Sequence, residues 1–224
     1  MTAFNSKWEE TSNDFGGSFL GQPQHNTEAG FTGGGTLGYN RVRCNTLFGI
    51  EADFNFADIG GEKVYLGPGA NTGGVGIINK LGDYATLRAR LGFVADRTLF
   101  YATGGLAWAD LRHELKDMGH FDGTTMPNPV LSGWKQGWTI GAGFEHALTE
   151  MISLKGEALY MDFGKRSYSF IDSQTPADFY AFRTHSDAWT ARVGLNFKLG
   201  DFPPHGDRGN GCEHGGCGYP APKK

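Results

Sequence analysis

The chain has 224 residues, 39% of them apolar and 20% charged, with a formal net charge of -4. Its 36 glycines are roughly twice ordinary usage. There is no apolar run long enough for a transmembrane helix, no basic tract for nucleic acid and, with three cysteines, no disulfide scaffold; the aromatic content and modest charge exclude a disordered, solvating chain.

In chain order, residues 1–10 show neither the positive start nor the apolar stretch of a signal peptide. Residues 3–8 (AFNSKW) read as the end of a first strand, and 9–29 as a long loop. A glycine-rich strand follows at 30–40, then a short link and a strand at 46–56. In the latter, Phe48, Ile50, Ala52, Phe54 and Phe56 alternate with Gly49, Glu51, Asp53 and Asn55, the period-2 mark of a strand with two unlike faces. After a long link at 57–83, the strand at 84–94 sets Ala85, Leu87, Ala89, Leu91 and Phe93 against Thr86, Arg88, Arg90 and Gly92. The short link 95–97 leads to 98–109, the long one at 110–136 to 137–148, and the short one at 149–150 to 151–162. In 151–162, Ile152, Leu154, Ala158 and Tyr160 oppose Ser153, Lys155 and Glu157. A last long link at 163–187 precedes 188–198, where Trp189, Ala191, Val193, Leu195 and Phe197 oppose Thr190, Arg192, Gly194 and Asn196.

Each strand is about ten residues, the length that crosses a bilayer at a tilt. The polar faces carry Glu51, Asp53, Glu145 and Glu157 against Arg88, Arg90, Lys155 and Arg192, which is four charges of each sign. Alone, this fits the solvated face of a soluble sheet as well as the lumen of a membrane barrel, where the polar face turns inward. Two features favour the membrane. Phe56, Trp108, Trp138, Tyr160 and Trp189 fall at one rim, and Tyr39, Phe48, Phe93, Phe100 and Phe197 at the other, as paired aromatic girdles do. Short and long links also alternate without exception, like periplasmic turns and extracellular loops. Seven full strands are an odd count for a structure that must close its edges. The expectation is therefore an eight-stranded antiparallel up-and-down transmembrane β-barrel over 1–199, its first strand incomplete. A signal peptide and most of that strand are expected upstream of Met1. Residues 200–224, rich in Gly and Pro, are expected to form a disordered tail.

The stretches FTGGGTLGYN (31–40), LFGIEADFNF (47–56), LGDYATLRARLGFVADRTLFYATGGLAWAD (81–110), GWTIGAGFEHALTEMISLKGEALYMDFG (137–164) and ARVGLNFKL (191–199) resemble the small outer-membrane β-barrel (porin-family) proteins of alphaproteobacteria. That family includes major surface antigens and hemin-binding proteins. The resemblance implies an exported eight-stranded barrel in the outer membrane, in contact with its lipid, with lipopolysaccharide and with the barrel-insertion machinery. It also implies a chain ending in an aromatic residue; here Leu199 stands near that place and 25 residues follow.

An eight-stranded lumen is just wide enough for side chains to fill. Glu51, Asp53, Arg88, Arg90, Glu145, Lys155, Glu157 and Arg192 are therefore expected to plug it, not to conduct. His25, His113, His120 and His185 are expected on the extracellular side, and imidazole binds haem iron, so hemin is the ligand the resemblance suggests for them. Their spacing carries no metal signature. A serine-hydrolase reading at His185–Ser186 fails because strand neighbours point to opposite faces. In the tail, Cys212, His214 and Cys217 make only a partial metal site. The expected function is a non-catalytic, cofactor-free surface barrel. The alternatives are a hemin or small-ligand binder of the same fold and a soluble lipocalin-like binder.

Overall fold

The computed structural model describes residues 1–10, 24–43, 45–66, 74–117, 130–171 and 179–199. These form ten strands: β1 (Thr2–Glu10), β2 (Gln24–Gly30), β3 (Gly33–Arg43), β4 (Thr46–Phe56), β5 (Ile59–Leu66), β6 (Gly74–Ala95), β7 (Thr98–Asp117), β8 (Val130–Ala147), β9 (Ile152–Ile171) and β10 (Phe179–Phe197). All pair antiparallel in one sheet, in the order β2-β1-β10-β9-β8-β7-β6-β4-β3, with β5 also on β6. Only Ala57 and Asp58 separate β4 from β5, and both lie along the same edge of β6, so they are one strand line with a break opposite the β6 irregularity between Leu81 and Tyr84. Only Phe31 and Thr32 separate β2 from β3, which stand at the two ends of the path. The described strands thus trace eight lines, and the path returns on itself where β2 passes into β3.

The ring differs between its two ends. Near one rim β1 lies between β2 and β10, matching Trp8 to Gln24 and Thr184. The β1–β10 ladder stops where the Met1 amino group donates to the Ala191 carbonyl at 2.8 Å. Beyond that point β3 has a partner only in β4 among the described residues, and every one of its residues is exposed on both faces. Among the described residues, a seam therefore runs between β3 and the final residues of β10.

The strands are much longer than sequence alternation indicates. The links expected at 57–83, 110–136 and 163–187 are mostly strand: β5 and β6 fill much of the first, β7 runs to Asp117 and β9 to Ile171. A 20-residue strand such as β7 stands about 50 Å tall at ~3.3 Å per residue and ~40° tilt, about twice the apolar band of such barrels. The short connections at 96–97 and 148–151 lie at the opposite rim, as does Asn45 just before β4. The turn at 96–97 puts Asp96 at φ 54°, a left-handed conformation that Asp tolerates better than most non-glycine residues. Residues 200–224, with Cys212, His214 and Cys217, lie outside the described residues, as does His120.

The apolar side chains sort by depth. Between the aromatic rims they point outward: Leu37, Ile50, Leu87, Leu91, Leu106, Ile140, Val193 and Leu195 are all exposed. Past the rim bearing Trp138, Tyr160 and Trp189 they point inward. Phe4, Ile59, Leu81, Tyr84, Leu111, Met161 and Phe163 pack there as a buried cluster.

Candidate functional site

The charged residues of the central strands meet inside the barrel. Arg88 on β6 is the hub. It pairs with Glu51 on its cross-strand neighbour β4, with Asp53 at 2.8 Å, and across the lumen with Glu157 on β9 at 3.0 Å. Its side chain and those of Asp53 and Glu157 are 0% exposed. Arg192 on β10 closes the opposite side, reaching Asp53 at 2.9 Å and Glu157 at 2.6 Å. Lys155 extends from β9 to Glu51 at 2.7 Å. Arg90 reaches Glu51 at 3.1 Å and Glu145 at 3.4 Å. The eight residues singled out from the sequence thus occupy one connected network, four cations on four carboxylates.

Neutral side chains complete it, and sequence reasoning did not single these out. The Thr86 hydroxyl and the Asn55 amide both donate to Asp53 at 2.6 Å. Ser153 donates to Glu145. Tyr101 donates its hydroxyl to Glu157 at 2.9 Å, while the Arg90 guanidinium lies 3.9 Å over its ring. Tyr101 reaches Glu157 because Gly143 stands between them in the sheet row; a Cβ there would sit 2.5 Å from the Tyr101 oxygen. The signal available was parity: Tyr101 follows the lipid-facing Phe100 and so must point inward.

Nearer the other rim, Asn79, His113, Trp8 and Ser186 form a second buried polar group. Asn79 Oδ1 accepts from Trp8 Nε1 at 2.9 Å and lies 2.8 Å from His113 Nδ1. An amide oxygen only accepts, so His113 carries its proton on Nδ1 and accepts at Nε2 from Ser186, 3.3 Å away. His113 lies five residues past Trp108 and so outside the membrane-spanning part of β7. Burial, reinforced by Lys135 and Arg166, pulls its pKa down to about 4, which keeps the ring neutral.

Among the described residues, His25, His113 and His185 do not assemble as a ligand set. His113 is 2% exposed inside the barrel, a correction to its expected place on a surface loop. The cause is that β7 continues past the rim and parity turns the ring inward. His25 and His185 are on strands too, both facing outward and separated by Lys7 in the ladder. His185 bonds Asp162 at 3.2 Å.

The exterior excludes a lipocalin-like arrangement, which would hold its apolar face inside. Trp138, Tyr160 and Trp189 form a continuous arc over β8, β9 and β10, with ring centroids 5.5 and 4.9 Å apart. Phe93 stacks on Phe100 at 5.9 Å at the other rim. Between these belts the outer surface is apolar and the interior ionic, the arrangement of a barrel whose solvent is lipid.

Comparison with known proteins agrees. The family model described as Outer membrane protein beta-barrel domain matches residues 3–198. The 31 kDa outer-membrane immunogenic protein of Brucella melitensis is 34% identical over 175 residues, covering 77% of this chain and 68% of that one. The 25 kDa outer-membrane immunogenic protein of Brucella abortus is 26% identical, covering 79% and 81%, and the 22 kDa outer membrane protein of Rhizobium leguminosarum 27%, covering 76% and 67%. Among solved structures, Ail of Yersinia pestis matches with a TM-score of 0.33 at 10% identity, over 85% of this chain and 95% of that one. The inverted polarity, the aromatic belts, the family model and the Brucella and Rhizobium relatives lead to one conclusion: the chain belongs to the outer membrane protein β-barrel family, and its place is the outer membrane.

Proposed function

We propose that this barrel is a non-catalytic, non-conducting surface component of the outer membrane. The observation that carries the reading is the Arg88–Arg192 network, whose hub has no exposed side-chain surface and which spans the lumen from β4 and β6 to β9 and β10. A pore needs a continuous aqueous path. Here eight mutually neutralised side chains occupy the cross-section, and above them the cluster of Leu81, Tyr84, Leu111 and Met161 adds a dry layer. The Ser186–His113 pair faces no accessible cleft, both residues being 2% exposed, and catalysis needs a nucleophile and base that a substrate can reach.

Two stacked plugs make the barrel a rigid stalk for whatever its outer rim presents. The strands extend well past the aromatic belt on that side, so their outer ends stand clear of the membrane surface. The immunogenic character named for the Brucella relatives fits a protein that displays its outer rim. Its neighbours in this role are the outer-membrane lipids, lipopolysaccharide included, and its route there is the barrel-insertion machinery.

The test is electrical. Inserted in a planar bilayer, the protein is expected to carry no steady single-channel current. A persistent ohmic conductance with the size and lifetime of an open porin would overturn the reading.

A further inference from the structure

One patch on the outer surface is used neither by the lumen network nor by the aromatic belts. The ladders place Lys7 of β1 opposite His185 of β10, and His185 opposite Lys165 of β9. In the next row outward Glu9 stands opposite Arg183. Lys7, Glu9, Lys165, Arg183 and His185 together line a cavity of about 310 Å³.

The backbone is arranged to build this row. Between Asp162 and Lys165 the strand bulges, with Gly164 at φ 70° and its amide donating to Asp162 at 2.6 Å. Bulges re-aim side chains, and this one turns Lys165 outward beside His185. Asp162 also holds the His185 ring, at 3.2 Å, and Asn5 donates to Asp187 at 2.8 Å. The two aspartates just below the row are thus occupied by His185, Gly164 and Asn5. Among the described residues, no carboxylate lies within ion-pair distance of Lys7, Lys165 or Arg183, although Glu9 shares the cavity wall. Among the described residues, three cations accordingly line one concavity beside a single carboxylate, Glu9, without an ion pair to it.

Depth identifies the ligand. Trp189 and Tyr160, which face each other in the belt, lie four residues along β10 from His185. That distance is about 10 Å along the barrel axis at the usual rise and tilt. Aromatic belts sit at headgroup level, so the cationic row meets the charged groups of the lipid heads and not the acyl chains. The outer rim is the one with the long connections, which faces the outer leaflet.

We propose that Lys7, Lys165 and Arg183 bind a phosphate on the head of an outer-leaflet glycolipid of the lipid A type. Arg183 supplies a forked donor suited to a phosphate and the two lysines supply point charges; His185, held by Asp162, forms the floor. The proposal rests on the membrane-barrel reading above and adds a lipid contact to it.

The experiment uses the full chain folded in detergent micelles, with native mass spectrometry reading retention of bisphosphorylated lipid A. Retention is expected to drop at least tenfold for the triple variant Lys7→Gln/Lys165→Gln/Arg183→Gln, and by a similar factor when dephosphorylated lipid A replaces the native lipid. Arg112→Gln, which alters a cation paired with Glu114 on another part of the wall, is expected to change nothing. Equal retention by the wild type and the triple variant, or of both lipids, overturns the proposal. So does inorganic pyrophosphate competing as strongly as the lipid, which would make the patch a general anion site. Electrophoretic mobility before and after boiling separates the two levels: a triple variant that keeps the fast-migrating folded band tests the lipid site alone. Absence of that band in the wild type would overturn the barrel reading and this inference with it.

Discussion

Arg88 shows what a single buried charge does in this molecule. It touches Glu51, Asp53 and Glu157 at once, so removing it strands three carboxylates with only Arg90, Lys155 and Arg192 left to neutralise them. Breaking a buried ion network by deleting one partner typically costs about 3–5 kcal/mol, because the remaining charges stay desolvated. Arg88→Met is therefore expected to lower the temperature at which the folded gel band converts to the unfolded one. Restoring neutrality with Arg88→Met/Asp53→Asn is expected to recover part of the loss. Equal mobility transitions in the wild type and the single variant would show that the network contributes nothing to the fold. The membership of the network was legible in the sequence, since parity puts Glu51, Arg88 and Arg192 on the polar face and the girdles and link lengths turn that face inward. The pairing was not: Lys155 bypasses its direct cross-strand neighbour Glu145 for Glu51 across the lumen, a choice set by three-dimensional reach.

At the scale of the strand, β7 reverses its polarity partway along. From Phe100 to Trp108 its large apolar side chains Phe100, Leu106 and Trp108 face lipid; from Leu111 to Lys116 the inward positions are Leu111, His113 and Leu115, while Arg112, Glu114 and Lys116 face outward. The reason is the solvent outside, hydrocarbon below the belt and water above it. A period-2 reading tuned to one environment loses the strand at the point of reversal, which is why 110–117 reads as a link in the sequence although its alternation continues. It also hides the apolar layer inside the outer half. Leu111 is 1% exposed, so Leu111→Ala is expected to cost about 2–5 kcal/mol through the cavity it leaves. Arg112→Ala, one residue away on the wetted face, is expected to fall within ~0.5 kcal/mol of the wild type. Denaturant titration of the two variants checks the contrast, and similar losses would show that the outer half is not a packed core.

For the whole molecule, the decisive quantity is which surface meets acyl chains. A thiol-linked fluorophore at Leu87→Cys is expected to be quenched by brominated lipid tails. One at Arg112→Cys, on the same outer surface beyond the belt, is expected to be quenched only by a water-soluble reagent. Exchange of the two patterns would reverse the placement of the membrane. The eight lines and their outward apolar face could be read from alternation, girdles and link lengths together, and the incomplete first strand from the odd strand count; that β3 and the end of β10 are the two lines beside it needed the ladders themselves. Among the described residues, one row of β3 backbone N–H and C=O groups has no strand partner along that seam; in hydrocarbon each unsatisfied group costs several kcal/mol. β3 and β10 run in the same direction on either side of it, so a guest strand would have to run opposite to both. It would show alternate greasy residues to the bilayer and small or polar ones to Thr36, Gly38 and Arg192. The wall is thus finished along most of its circumference, and along the remainder it is a template whose direction and side-chain rhythm are already set for whatever segment completes it.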